Sequence, residues 1–420
     1  MSSPDLPSAE SLPATVTAYR PLSVVPAAGR GGHFVGRCWA PAARADDGLA
    51  GPRVVTLRDG RVIDVSARFA TFTALLNHAD PVAALDAAEG ADLGALDDVL
   101  AASLWPARAA TLRDETRVVL LAPNDLSATR ACGVTFVRSL LERVVEEKAK
   151  GDPDTARHVR ALILDTLGDD LSKVRPGSPA TVELKQRLIA AGMWSQYLEV
   201  GIGPDAEVFT KAQPMASVGY GARIGVLPDS TWNNPEPEIV LAVSRRGEIR
   251  GATLGNDVNL RDYEGRSALL LGEAKDQNAS CAIGPFVRLF DDGFTLDDVR
   301  ASAVELRITG TDGFTTAGSN RMAEISRDPR ELVDQVLSPH HQYPDGVVLF
   351  LGTMFAPTED RDGPGLGFTH HPGDRVEIAV PALGTLVNWV YPTDTIPPWD
   401  YGASELLEHL IQRSLSRSRS

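Results

Sequence analysis

The chain has 420 residues, 43% of them hydrophobic and 23% charged, with a formal net charge of −15 and a pI near 5.0. That length suggests about two domains, and the ordinary composition, with no apolar run of membrane-spanning length, excludes a disordered chain and a helical membrane protein. An acidic surface argues against nucleic acid and anionic lipid as partners, while the sign of the field at any one site stays open.

Met1 to Glu10 lacks a basic stretch followed by an apolar one, so no secretory signal is expected. Cys38, Cys132 and Cys281 are few, odd in number and irregularly spaced, which argues against a disulfide scaffold and fits a reducing compartment. A soluble, cytoplasmic protein is the expectation. Residues 1–20, rich in Ser, Pro and Ala, are expected to be flexible. Phe34 to Trp39, Val54 to Leu57 and Val62 to Val65 read as short strands, and the Asp59-Gly60 pair predicts a hairpin between the last two. Phe72 to Leu104 is rich in Ala, Leu and Asp with helical spacing, and Val118 to Leu121 reads as a further strand. Pro123-Asn124-Asp125 marks a boundary, giving a smaller α+β N-terminal domain over 1–125.

The second domain, 126–420, opens with a helix predicted over Thr135 to Lys150, with Phe136, Leu140, Leu141, Val144 and Val145 on its apolar side. From Val208 the texture changes to short β runs: Ile239 to Val243, Ile249 to Leu254, Ala303 to Ile308, Val347 to Phe350 and Val376 to Ala379. Asp328-Pro329 opens a late helix with Leu332, Val333 and Val336 as its stripe. Ser414 to Ser420 is expected to fray after a short helix. Few helices among many short strands predict an α+β, mostly β fold with a rolled catalytic domain, not a doubly wound sheet.

Asn234-Pro235-Glu236-Pro237-Glu238 precedes the apolar run Ile239 to Val243. Alternate residues of a strand share a face, so Glu236 and Glu238 point the same way at the mouth of a strand that soon becomes buried. Such a pair needs a proton, a cation or water, and hard oxygen ligands suit Mg²⁺ or Mn²⁺; two solvated glutamates at an exposed strand start are the alternative. The turn at Arg245-Arg246-Gly247 would bring a second strand, Gly251 to Asp257, back alongside, placing Asp257 near both glutamates. Arg261 suits a substrate carboxylate or a surface ion pair with Asp262. Lys275 is either solvated or, in a dry pocket, a stabiliser of an enolate. Gly219-Tyr220-Gly221 has the wrong spacing for a dinucleotide loop, and no Gly-x-Ser-x-Gly elbow, phosphate loop or Cys-x-x-Cys is present. The adjacent pairs His340-His341 and His370-His371 lie in Pro/Gly loops and are read as solvated.

From Phe209 onward the order of motifs resembles the fumarylacetoacetate hydrolase superfamily. Phe209-Thr210-Lys211 is similar to its substrate-lining Phe-x-Lys strand and Glu236-Pro237-Glu238 to its Glu-x-Glu metal pair. Gly255 to Asp262 resembles the stretch that supplies the third carboxylate, and Ala274 to Cys281 the lysine segment, which leads to Gly284-Pro285-Phe286. Leu351-Gly352-Thr353 resembles the strand end that holds substrate oxygens, and Gly373 to Glu377 with Leu383 to Asn388 the closing hairpin. The resemblance covers about residues 126–395. It implies a β-roll catalytic domain, a Mg²⁺ or Mn²⁺ ion on Glu236, Glu238 and Asp257, and a homodimer or homotetramer.

One departure bears on the reaction. Hydrolases of the superfamily carry Gly-x-Asn-Tyr-x-x-His with a Glu three residues further on, and the His–Glu pair activates water. Here the stretch is Gly133-Val134-Thr135-Phe136-Val137-Arg138-Ser139, with Glu142 kept. Together with the long N-terminal domain, this resembles the sugar-acid branch of the superfamily. The implied activity is dehydration of 2-keto-3-deoxy-D-pentonate to 2,5-dioxopentanoate. In that scheme Glu142 takes the C3 proton, Lys275 stabilises the enolate, Thr353 orients the substrate, and Lys211, Arg261 and Ser139 line the substrate site. The alternative is a C–C hydrolase or decarboxylase of an acylpyruvate-like 2,4-diketo acid; a non-catalytic binding protein is a third reading, which the full set Glu236, Glu238, Asp257 and Lys275 argues against.

Overall fold

In the computed structural model of the chain, residues 32–104, 114–133, 135–136, 175–190, 192, 194–364 and 366–417 are described. Strand β1 (Phe34–Ala40) runs antiparallel to β2 (Gly51–Arg58), and β2 to β3 (Arg61–Asp64). The expected hairpin forms because Asp59 and Gly60 both take positive φ, 48° and 74°, the left-handed pair that a tight primed turn requires.

The stretch Phe72 to Leu104 differs from its helical expectation. It breaks into helices at Phe72–Leu76 and Pro81–Asp86, then β4 (Ala91–Ala95), then a helix at Leu96–Ser103. Pro81 disfavours helical backbone at Asp80, and Asp80 instead caps the second helix by accepting from the Ala83 N–H at 3.0 Å. Gly94 takes φ 135°, and there β4 pairs irregularly with β3. Periodicity shows an apolar stripe and does not report where the stripe is cut.

The rest of the chain supplies β5 (Val119–Leu121), β6 (Ala128–Cys132), β7 (Val208–Ala212), β8 (Arg223–Val226), β9 (Asn233–Asn234), β10 (Pro237–Val243), β11 (Ile249–Asp257), β12 (Asn259–Leu260) and β13 (Cys281–Leu289). After them come β14 (Ala303–Thr309), β15 (Thr315–Arg321), β16 (Val347–Phe350), β17 (Arg375–Val380) and β18 (Gly384–Pro392). One sheet has the order β4-β3-β2-β1-β13-β11-β10-β16-β6-β7, with β5 added to β1; a second has the order β15-β14-β17-β18-β8, and β9 pairs with β12. Among the described strands only β6 with β16 and β8 with β18 pair in parallel. The fold is therefore mostly β and not doubly wound. Ile239 and Leu241 of the first sheet meet Leu306, Val376 and Leu386 of the second in one core.

The expected division after Asp125 falls between β5 and β6, which belong to the same sheet. Asp125 itself is buried. Its carboxylate accepts from the N–H groups of Phe72 (2.6 Å), Thr73 (3.0 Å) and Leu126 (2.7 Å) and from the Thr73 hydroxyl (2.7 Å). Replacing Asp125 with Ala strands buried donors, so we expect a loss of about 2–4 kcal/mol in urea unfolding, with the slope unchanged. A loss below about 1 kcal/mol would mean that water replaces the carboxylate.

The late helix, Pro329–Val336, forms as expected: Asp328 accepts from the Arg330 N–H at 2.8 Å, and Leu332, Val333 and Val336 are buried. The last helix, Ala403–Arg417, runs past the point of expected fraying. Tertiary anchoring extends it: Arg413 is buried and its Nε donates to Asp47 at 2.9 Å. Among the described residues no helix is long and apolar enough to cross a membrane.

Candidate metal centre

Every residue of β10 is buried, because both faces of the strand are covered. Ile239, Leu241 and Val243 face the main core, whereas Val240 packs with Ala131, Ala212, Cys281, Ile283, Val348 and Phe350. Glu238 shares the parity of Val240, so its carboxylate sits at the end of that second cluster. Gly255 lies opposite Glu238. A Cβ there would come within 2.3 Å of Phe350 and 2.5 Å of Val240, so only glycine lets those side chains close beneath the acid.

The β10–β11 hairpin does what the sequence implied. Pro237 pairs with Asn256 and Glu238 with Gly255, and the Asp257 N–H bonds the Glu236 carbonyl at 3.0 Å. Glu236, Glu238 and Asp257 are each at most 1% exposed. One ligand atom from each lies within 4.8 Å of the others. Solvated glutamates at a strand start do not describe this arrangement. One oxygen of Glu238, Oε2, accepts the Gly352 N–H at 2.7 Å; the other, Oε1, is buried and makes no hydrogen bond among the described residues. Burial first, then the Asp257 and Glu236 charges, push the Glu238 carboxyl well above the usual carboxylate range, against the pull of Lys275 and the Gly352 N–H. A buried acid of this kind, with an open oxygen beside two others, fits a hard divalent cation.

Lys275, at the end of a short helix and buried, closes the other side. Its ammonium donates to Glu236 and, at 2.9 Å, to Asp257 Oδ2, and it lies 5.4 Å from the centre of the Phe209 ring. Burial works against its charge, but Asp257, Glu236 and Glu264 outweigh burial and hold it protonated well above the ordinary lysine range. It is a fixed cation, suited to an enolate oxygen and not to proton abstraction.

Lys211, on β7, is fully buried. It meets Asp257 Oδ1 at 2.9 Å and donates to the carbonyls of Val258 (3.1 Å) and Lys275 and to Ser280 Oγ (3.3 Å). An ammonium has three donors, and these partners engage them. The structure thus places Lys211 behind Asp257 rather than open to a substrate.

Thr353 is buried just beyond β16, next to Gly352. Arg261 is also buried, its guanidinium 4.4 Å from the centre of the Trp232 ring. Asp262 directs its carboxylate to Ser230 (2.9 Å) and the Thr231 N–H (2.9 Å). Ser139 and Glu142 lie outside the described residues. Of the helix expected over Thr135 to Lys150 only Thr135 and Phe136 are described, and they depart from it, because Phe136 is held extended in an antiparallel bridge with Ile325.

Two further residues belong to the centre and were missed in the sequence. Asn259 Nδ2 donates to Glu236 Oε1 at 3.1 Å and to Glu264 Oε2 at 2.6 Å, bridging the metal candidate to a half-buried acid. Its position two residues after Asp257 was a usable signal, since i and i+2 share a face; Glu264 gave none. His370 corrects its solvated reading. It is buried against Phe368, with its ring nitrogen Nδ1 3.3 Å from Asp374 and its N–H on Asn233. Its Pro/Gly loop is pinned inward because buried Arg361 bonds both Asp374 (2.8 Å) and the Thr369 carbonyl (3.1 Å).

Comparison with known proteins accords with this geometry. Residues 202–391 match the family described as fumarylacetoacetate (FAA) hydrolase, C-terminal. A probable 2-keto-3-deoxyxylonate dehydratase of Haloferax volcanii is 34% identical over 200 residues, covering 48% of this chain and 65% of that protein. A 2-dehydro-3-deoxy-D-arabinonate dehydratase of Saccharolobus solfataricus is 33% identical over 184 residues, covering 43% of this chain and 57% of that protein. The matched stretch thus spans less than two thirds of either relative's length. A solved 2-keto-3-deoxy-D-arabinonate dehydratase, complexed with magnesium and 2,5-dioxopentanoate, is similar over 86% of this chain and 99% of that one, with a TM-score of 0.55 and 20% identity, which speaks for the fold.

Proposed function

With residues 202–391 forming a fumarylacetoacetate hydrolase family domain, we propose that the chain is a divalent-metal hydro-lyase that dehydrates 2-keto-3-deoxy-D-pentonate to 2,5-dioxopentanoate in oxidative pentose breakdown. The observation that carries this reading is the buried charge set. Three carboxylates, Glu236, Glu238 and Asp257, face two ammoniums, Lys211 and Lys275. With all five ionised the set is one unit negative. A dication reverses that to one unit positive, which a monoanionic keto acid neutralises. The names of the two relatives at 33–34% identity point to the same substrate class.

Glu236, Glu238 and Asp257 hold the ion in this reading, Mg²⁺ or Mn²⁺. Bound there, it supplies Lewis-acid polarisation of the C2 carbonyl, which makes C3 acidic. Lys275 places a permanent positive charge beside the oxygen where negative charge develops. Glu142 removes the C3 proton, and loss of the C4 hydroxyl with tautomerisation gives the product. Lys211 keeps Asp257 in place, Thr353 and Ser139 orient the substrate, and Arg261, stacked on Trp232, receives its acid end. Residues 1–125 and 126–420 are the N-terminal and catalytic parts of this enzyme in our reading, joined in one sheet through β1 and β13. We further propose a cytoplasmic homodimer or homotetramer. The three free cysteines accord with a reducing compartment, and the exposed Leu407, Ile411 and Leu415 of the last helix are apolar surface that assembly would cover.

The test is a product assay followed by NMR. Protein with Mg²⁺ is mixed with 2-keto-3-deoxy-D-pentonate, with and without excess EDTA. We expect 2,5-dioxopentanoate in the first sample and none in the second. No turnover of the pentonate, together with pyruvate release from a 2,4-diketo acid, would replace dehydration by C–C hydrolysis.

A further inference from the structure

We infer that Thr135 is a positioning residue for the metal centre, acting through a single peptide unit. The inference rests on the reading of Glu238 as a metal ligand. The unit is the one between Leu351 and Gly352, at the end of β16. Its carbonyl accepts the Thr135 hydroxyl at 2.6 Å. Its N–H donates to Glu238 Oε2 at 2.7 Å. The two groups of a trans peptide point in opposite directions in one plane, so one rigid plate carries a hydrogen bond from Thr135 on one edge and one to Glu238 on the other. Bonds chained this way polarise each other.

Both ends of the plate are constrained. Gly352 takes φ 100°, and a Cβ at this position would lie 2.3 Å from Thr135 Oγ1 and 2.4 Å from the Gly133 carbonyl. Thr135 is buried and held from behind: its own carbonyl accepts from the Ser326 N–H and the Ser326 hydroxyl, each at 2.7 Å. Phe136 forms an isolated antiparallel bridge with Ile325 alongside. The plate therefore cannot turn while the Thr135 bond is intact. Its N–H occupies one oxygen of Glu238 and leaves the other, buried and without a hydrogen bond among the described residues, to face a cation. Partners one step removed from a metal typically change its affinity about 10–100-fold when lost.

The alternative is a buried threonine that merely satisfies a strand-end carbonyl, which would move stability and leave metal affinity alone. The experiment uses the metal-free full-length chain titrated with MgCl₂ in a calorimeter, without substrate, for wild type, T135V and T135S, each with a melting curve. Valine keeps the shape and removes the donor; serine restores the donor. We expect T135V to weaken Mg²⁺ binding about 10–100-fold, and T135S, which retains the hydrogen bond, to bind within about threefold of wild type. In turnover, the Mg²⁺ concentration for half-maximal rate should rise for T135V while kcat at saturating Mg²⁺ holds. T135A serves the same reading should the valine variant not fold. Wild-type binding of Mg²⁺ with equal binding by T135V overturns this inference alone. Wild-type protein that takes up neither Mg²⁺ nor Mn²⁺ overturns the ligand assignment and this inference with it.

Discussion

Glu238→Gln should abolish Mg²⁺ binding and cut turnover by about 10³-fold or more, and yet raise the stability of the metal-free protein. Without a cation Glu238 is a liability: it is buried, and Asp257 and Glu236 add like charge. The neutral amide keeps an acceptor for the Gly352 N–H and removes the cost, which we place at about 1–3 kcal/mol at neutral pH. The direction with pH follows. A carboxyl whose folded pKa is raised above its unfolded value of about 4.3 is tolerated best in its protonated form. Metal-free wild type is then most favoured below that value and loses ground as pH rises through the raised one. The variant lacks this loss, so its advantage should grow from pH 5 to pH 8. Saturating Mg²⁺ should invert the order, since ligand that binds only the folded wild type stabilises it. Melting curves at several pH values, with EDTA and with Mg²⁺, read all of this. A variant less stable than wild type in EDTA at pH 8 would sink the electrostatic account, and one that still binds Mg²⁺ at wild-type affinity would sink the ligand assignment.

Lys275→Met is the mirror case. It removes the cation that pairs with Glu236 and Asp257, leaving Lys211 on Asp257 as the remaining ammonium and only the Asn259 amide on Glu236, and breaking a buried pair in this way typically costs about 3–5 kcal/mol. It also removes the charge placed for an enolate, so kcat should fall about 10³-fold or more. Added Mg²⁺ should restore much of the stability, because a dication can take over the neutralisation, but little of the rate. Since burial is outweighed by three carboxylates and the ammonium stays protonated far above neutral pH, the wild-type rate profile should show no basic limb from this residue below about pH 9. A Met variant with normal melting in EDTA would mean that the carboxylates find another partner.

How far the sequence foretold this depended on the range of the interactions involved. The Asp59-Gly60 hairpin was readable because a primed turn is decided by the two residues in it. The acid pair was readable because strand parity fixes the faces, and Asp257 because a short hairpin fixes the register of its second arm. The long Phe72 to Leu104 stretch was not, since β4 exists only by pairing with β3. Lys211 was read as a substrate contact from its motif. Its actual neighbours, Asp257, Val258, Lys275 and Ser280, come from segments that no local pattern connects to β7. His370 was misread for the same reason: its burial is imposed by Arg361 and Asp374, and a loop composition rich in Pro and Gly says nothing of such anchors.

The sheet order has a practical corollary for anyone cutting the gene. The recognisable family segment, 202–391, contains β13, β11, β10 and β16, but the strands that flank this block, β1 and β6, lie outside it. Excising that segment would leave β13 and β16 with unpaired backbone along one side each, turning two interior strands into sticky borders. The limits of what can be recognised by similarity are therefore not the limits of what can be expressed alone, and a stable fragment has to begin upstream of Phe34.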